Sequence, residues 1–81
     1  MDEDKLKEID FQIALHEDLV AGCESTIARF KSKLKTAPAD EVGGIQSFLR
    51  IREDMLDTFQ RDLDKWKKAK ADGVFPDPEL G

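Results

Sequence analysis

Apolar residues in the first half of this chain recur at alternating intervals of three and four. The positions are Leu6, Ile9, Ile13, His16, Val20, Cys23, Ile27, Phe30 and Leu34. Such a run of heptads is typical of an amphipathic α-helix, because side chains share a helix face about every 3.6 residues and a strand face every second residue. We therefore predict one long helix from about residue 3 to about residue 35.

A second heptad pattern occupies the other half of the chain. Its positions are Ile45, Leu49, Arg52, Leu56, Phe59, Leu63 and Trp66. It predicts a second helix over about residues 45–71, after a turn over about residues 36–44 in which Pro38 ends the first helix. The place of Gly43-Gly44 stays open. Either the second helix begins near Pro38 and contains both glycines, at about 1 kcal/mol each relative to alanine, or the loop extends to them.

Two helices of similar length joined by a short connection predict an all-α antiparallel helical hairpin. Charge favours the same arrangement, because it sets the acidic residues 2–4 beside the lysine-rich residues 65–70. The hairpin domain is predicted to cover residues 1–73. Residues 74–81 form a C-terminal tail, in which Val74-Phe75 could fold back before the prolines forbid further helix.

The heptad residues other than Arg52 are the predicted hairpin core. For Arg52 itself we favour a side chain whose stem lies on the core while its head stays in water. The alternative is an ion pair across the hairpin with Asp18 or Glu24, which would fix the register.

Each helix carries an additional row of apolar side chains beside its heptads. These six residues, the predicted interface, are Phe11, Leu15, Leu19, Phe48, Ile51 and Met55. A wide apolar arc contacts neighbours on two sides, whereas a hairpin supplies one neighbour. We therefore expect a partner surface, with the two rows toward opposite ends of the hairpin. A homodimeric four-helix bundle is the simplest solution, and a larger helical assembly or a groove on another protein would also satisfy it.

The small size of the chain also favours association. A domain of 81 residues buries only about 60–65% of its unfolded surface, so its stability is marginal without further support. One cysteine allows no internal disulfide, and one histidine allows no His/Cys zinc cluster. His16 and Cys23 would lie about 10 Å apart along a helix, too far for one ion even across a dimer. We expect no metal and no cofactor.

Composition argues against several other classes of protein. With 18 acidic and 13 basic residues, the net charge of −5 argues against nucleic-acid binding, which requires clustered basic residues. Apolar runs reach only three residues, too short for a membrane span, and the acidic start is unlike a signal peptide. An unpaired cysteine favours a reducing compartment such as the cytoplasm.

No pattern in the chain points to catalysis. Its paired carboxylates fall on solvated helix faces, and Gly43-Gly44 lacks the strand and the Lys-Ser/Thr of a phosphate loop. The sequence predicts a non-catalytic protein–protein interaction module, a self-associating hairpin of the size used by small viral-assembly or adaptor proteins. The alternative is a small accessory or inhibitory subunit that docks its apolar face on a larger protein.

Overall fold

The computed structural model describes residues 2–76, which form two helices. Helix α1 is Glu3–Leu34 and helix α2 is Ala39–Asp72, with residues 35–38 between them. Contacts pair the start of one helix with the end of the other. Asp10 lies 2.6 Å from Lys70 near one end, and the ring centroids of Phe30 and Phe48 lie 4.4 Å apart toward the loop. The predicted all-α helical hairpin is confirmed.

Helix α1 begins and ends with the chemistry that helix termini require. The carboxylate of Asp2 accepts a hydrogen bond from the backbone N–H of Lys5 at 2.9 Å, which satisfies one unpaired amide of the first turn. At the other end, the amide of Thr36 donates to the carbonyl of Lys33 at 3.1 Å. Acidic residues in the first turn and lysines in the last complement the helix dipole.

Helix α2 begins earlier than the sequence indicated. The predicted turn over residues 36–44 is too long, because α2 starts at Ala39 and Gly43-Gly44 lie inside it. Pro38, with φ −60°, precedes the first turn, and its carbonyl accepts from the amide of Glu41 at 2.9 Å. Once this turn has formed, each further residue adds a backbone hydrogen bond, which offsets the low helix propensity of the glycines.

The core is a narrow strip between the two helices. Its buried residues are Ile9, Cys23, Ile27, Leu49, Leu63 and Ala69. Other predicted core residues are only partly buried: Ile13, His16, Val20, Phe30, Leu34, Ile45, Leu56, Phe59 and Trp66. Leu6 is 40% exposed and lies outside the core, because α2 ends at Asp72 and covers the start of α1 poorly. Each helix is covered on one side only.

Polar groups that lie along this strip are hydrogen-bonded. The thiol of Cys23 donates to the backbone carbonyl of Arg52 at 3.4 Å. The Nδ1 of His16 lies 2.7 Å from the carbonyl oxygen of Gln12 and therefore carries the proton, because a carbonyl only accepts. The other ring nitrogen faces the carboxylate of Asp62 at 4.0 Å. The histidine at this heptad position is thus held by one hydrogen bond within its own helix.

The chain turns back after α2. Gly73 takes the left-handed conformation, with φ 69°, and the amide of Val74 donates to the carbonyl of Ala69 at 3.1 Å. The ring of Phe75 then packs edge-on against Trp66 at 5.7 Å. The predicted tail over residues 74–81 is described only to residue 76; residues 77–81 lie outside the described part.

Neither helix in residues 2–76 has a stretch that is both long and apolar enough to cross a membrane.

We expect Ile9→Ala to lower the free energy of unfolding by about 2–5 kcal/mol, because Ile9 is 0% exposed and its loss would leave a cavity. The measurement is urea denaturation followed by far-UV circular dichroism at one fixed protein concentration. Phe11→Ala is the control. Its side chain is 60% exposed, so the change should stay within about 0.5 kcal/mol. Equal losses in the two variants would contradict the assigned core.

Two glycine substitutions should have opposite effects. Gly73→Ala should cost about 1 kcal/mol, because a Cβ disfavours the left-handed conformation at φ 69°. Gly43→Ala should raise stability by about 0.5–1 kcal/mol, because it lies in α2 and a Cβ there would meet nothing within 4 Å. Denaturation curves of both variants give the comparison, and a shift in the same direction would be inconsistent with these helix bounds.

Candidate interaction surface

The six predicted interface residues divide into two groups by exposure. Phe11, Leu15, Leu19 and Ile51 are exposed, whereas Phe48 and Met55 are partly buried. Large exposed apolar side chains are informative where they form a continuous surface rather than isolated positions. The geometry below shows which of the six share such a surface.

A groove runs between the two helices at mid-length, and we call it the central groove. Helix α1 lines it with Asp18, Leu19, Gly22, Cys23 and Thr26. Helix α2 lines it with Arg52, Met55 and Phe59. An adjoining apolar hollow lies along α2 and is lined by Ile51, Asp54, Met55, Thr58 and Phe59. Met55 and Phe59 belong to both, so the groove and the hollow form one continuous surface, which we call the apolar face.

The two additional apolar rows start toward opposite ends of the hairpin, with Phe11 next to the Asp10–Lys70 pair and Phe48 next to the loop, and their inner ends meet near its middle. Leu19 comes from the row on α1 and Met55 from the row on α2, and both line the central groove. Leu15 precedes Leu19 by one turn and extends the same stripe. The inner ends meet because the helices are antiparallel and the connection is short, so residues near Gly22 and Met55 lie at the same height along the hairpin.

Phe11 lines neither the central groove nor the hollow. Its side chain is 60% exposed. It lies one heptad before Asp18, which does line the groove, so Phe11 shares that side of α1 about two turns nearer the start of the helix. The grouping of Phe11 with Leu15 and Leu19 stays a prediction, and of these three residues only Leu19 lines the groove.

Phe48 contributes to packing within the hairpin. Its ring lies 4.4 Å from that of Phe30, tilted by 42°, and the guanidinium carbon of Arg52 lies 5.0 Å from its centroid. On the other ring of the pair, the ammonium of Lys33 lies 4.9 Å from the centroid of Phe30. Phe48 thus fills space next to the loop, with the guanidinium of Arg52 over its ring. The head of Arg52 lies over an aromatic ring, an arrangement that sequence reasoning did not consider.

Most residues that line the apolar face were missed as interface candidates, and three of them show why. Gly22 and Thr26 carry no hydrophobic signal, and Phe59 was assigned to the core. For Gly22 one signal was available, because a glycine in the interior of a helix costs about 1 kcal/mol relative to alanine. Such a cost draws attention to the position, but only the packing of α1 on α2 shows that Gly22 lies in a groove.

The hydroxyl groups of the apolar face are already hydrogen-bonded. Thr26 donates to the carbonyl of Gly22 at 3.0 Å, and Thr58 donates to the carbonyl of Asp54 at 3.2 Å. An apolar partner could therefore cover this face without leaving these hydroxyls unpaired, which would otherwise cost about 1–3 kcal/mol each. The carboxylates of Asp18 and Asp54 are exposed and form the edge of the surface.

The metal-ligating and nucleophilic side chains complete the description of the site. Within residues 2–76, no three histidine, cysteine, aspartate or glutamate side chains cluster closely enough to hold a metal ion. Cys23 is buried, with its thiol bonded to a backbone carbonyl. The apolar face is shallow and mainly hydrophobic, and its threonine hydroxyls already have hydrogen-bond partners. Amphipathic helices dock on apolar grooves of this kind.

The Phe30–Phe48 pair predicts an energetic coupling within one chain. We expect Phe30→Ala and Phe48→Ala each to destabilise the hairpin, with a coupling of about 0.5–1.5 kcal/mol in a double-mutant cycle. Urea denaturation of the two single variants and the double variant measures it. Strictly additive losses would mean that Phe48 does not act through Phe30.

Comparisons with known proteins do not assign this chain to a family. No family model matches the sequence, and no curated protein or solved structure matches it significantly. The function is therefore argued below from the residues of the hairpin themselves.

Proposed function

We propose that this chain is a non-catalytic assembly module: a helical hairpin that pairs with a second copy through the apolar face and forms a four-helix bundle. The observation that carries the proposal is the continuous groove and hollow spanning both helices, with Leu19, Met55 and Phe59 along them. Surfaces of this kind on small helical proteins are covered by further helices.

The limited core supports the proposal. Among the described residues only Ile9 is a fully buried large side chain, and most heptad residues stay partly accessible to water. The Cα radius of gyration is 17.0 Å, whereas a compact domain of this length has about 12 Å. Two long helices side by side bury little, and a second layer would convert the half-buried residues into a real core.

The available area is sufficient for a stable dimer. The accessible surface is 5940 Å², roughly 1000 Å² more than the about 4900 Å² of a compact protein of 9.2 kDa. The hairpin measures 55 by 21 Å across its broad side. A standard interface buries about 800 Å² on each partner, which one face of this size can supply.

The charges favour a second copy in an antiparallel arrangement. Within the hairpin, Lys70 pairs with Asp10 at 2.6 Å and Lys31 pairs with Glu53 at 3.8 Å. Every antiparallel neighbour in a four-helix bundle would again bring an acidic helix start near a lysine-rich helix end. Because such surface pairs contribute only about 0–1 kcal/mol each, they select the orientation while the apolar face provides the affinity.

A second candidate is a small accessory or inhibitory subunit that docks the same face on a larger protein. The observation in its favour is the pair of exposed carboxylates, Asp18 and Asp54, at the edge of the apolar face. A partner helix with basic residues beside its apolar stripe would complement that edge. Under either candidate, the unpaired thiol of Cys23 suits a reducing compartment such as the cytoplasm.

Sedimentation equilibrium of the intact chain tests the proposal. We expect a dimer, twice the 9.2 kDa chain mass, at micromolar concentration. The double variant Leu15→Asp with Leu19→Asp should sediment as a monomer while keeping most of its far-UV helical signal, because both side chains are exposed in the isolated hairpin. Ala28→Asp is the matched control and should remain a dimer, since Ala28 is exposed and lies nine residues after Leu19, on the opposite side of α1.

A compact, cooperatively melting monomer of the unmodified chain would contradict self-association and would favour the accessory-subunit candidate. A double variant that still dimerises would show that copies pair through a different surface.

A further inference from the structure

Gly22 lies in the central groove although nothing within the hairpin requires a glycine there. It is a residue of α1 with no positive φ, and a Cβ at this position would meet nothing within 4 Å. Glycine in a helix interior lowers helix propensity, so the isolated hairpin would be more stable with alanine. A glycine on a helix surface allows another element to approach the backbone closely.

The two sides of the apolar face differ in shape. The α1 side around Gly22 and Thr26 is low, whereas the α2 side carries the bulky Met55 and Phe59. A two-fold axis perpendicular to the helices would set bulky on bulky and low on low. An axis parallel to the helices lays α1 of each copy on α2 of the other, so that large side chains face small ones, as well-packed cores require.

A parallel two-fold axis keeps every residue at its own height along the bundle. Gly22 and Met55 line the same groove, and the neighbouring pair Cys23 and Arg52 is in direct contact, so the two residues lie at one height. The axis therefore brings Met55 of one copy over Gly22 of the other. The same contact occurs twice, once on each side of the axis.

We propose that Met55 of a second copy packs into the space above Gly22, and that this reciprocal contact sets the register of the dimer. The inference rests on the proposed self-association and specifies its geometry. Methionine suits the role because its unbranched, flexible side chain fills irregular spaces. The hydroxyl of Thr26 is already bonded to the carbonyl of Gly22, so an apolar side chain leaves no donor unpaired there.

The first experiment compares two glycines that are alike in the isolated chain. Gly22 and Gly43 are both exposed, both helical, and both surrounded by open space at the Cβ position. Gly22→Leu should weaken dimerisation by at least about 10-fold, because the added side chain occupies the space meant for Met55. Gly43→Leu, away from the apolar face, should leave the dimer dissociation constant within about threefold of the unmodified chain.

The second experiment exchanges large and small residues between copies. Met55→Ala should also weaken its own dimer, because two cavities replace two methionines. In a mixture of Gly22→Leu and Met55→Ala chains, the mixed dimer has one contact between the two substituted positions and one unaltered contact. Fluorescence energy transfer between N-terminally labelled chains should show this mixed dimer to be at least about 10-fold tighter than either variant dimer.

The outcomes separate the two proposals. If the unmodified chain dimerises but Gly22→Leu does not weaken it, or mixing restores nothing, the Gly22–Met55 contact is wrong while self-association stands. If the unmodified chain remains a monomer, both the self-association and the Gly22–Met55 contact are wrong. The accessory-subunit candidate, in which a different protein binds the groove, is then favoured.

Discussion

The structure depends on one interaction, the contact between two heptad stripes that belong to the same chain. Because each helix has a single neighbour, each side chain can be covered from one direction only. This explains why Ile13, Val20 and Leu56 remain only partly buried although they occupy heptad positions. The hairpin is a two-helix layer rather than a closed core, and its stability is limited by that geometry more than by its composition.

The incomplete core and the exposed apolar face have the same cause, because each helix has only one neighbouring helix to cover it. Residues that would be interior in a four-helix bundle, such as Phe59, serve here as both core and groove wall. The satisfied hydroxyls of Thr26 and Thr58 and the open space above Gly22 make this wall suitable for burial. In an isolated hairpin, Gly22 lowers the stability of α1 and the threonine hydrogen bonds contribute little. Both would favour folding if another helical layer covered the apolar face.

Phe11, Phe48 and Leu19 show why apolar character alone does not identify an interface. All three lie beside the heptads in sequence. Leu19 lines the groove, Phe48 packs on Phe30 inside the hairpin, and Phe11 lines neither the groove nor the hollow. The difference comes from the angular position of each residue on its helix and from the level at which the two helices contact each other. The spacing of apolar residues in the sequence does not give that level.

The sequence by itself determined the secondary structure and the fold class, because heptad spacing, the acidic and basic helix ends and Pro38 act over a few residues. It also indicated surplus apolar surface. Only the tertiary structure decided that α2 begins at Ala39, since helix propensity cannot weigh Gly43-Gly44 against the bonds of a continuing helix. Likewise, only the packing of α1 on α2 could bring Gly22, Leu19 and Met55 into one groove, because that contact joins residues distant in the chain and depends on the register.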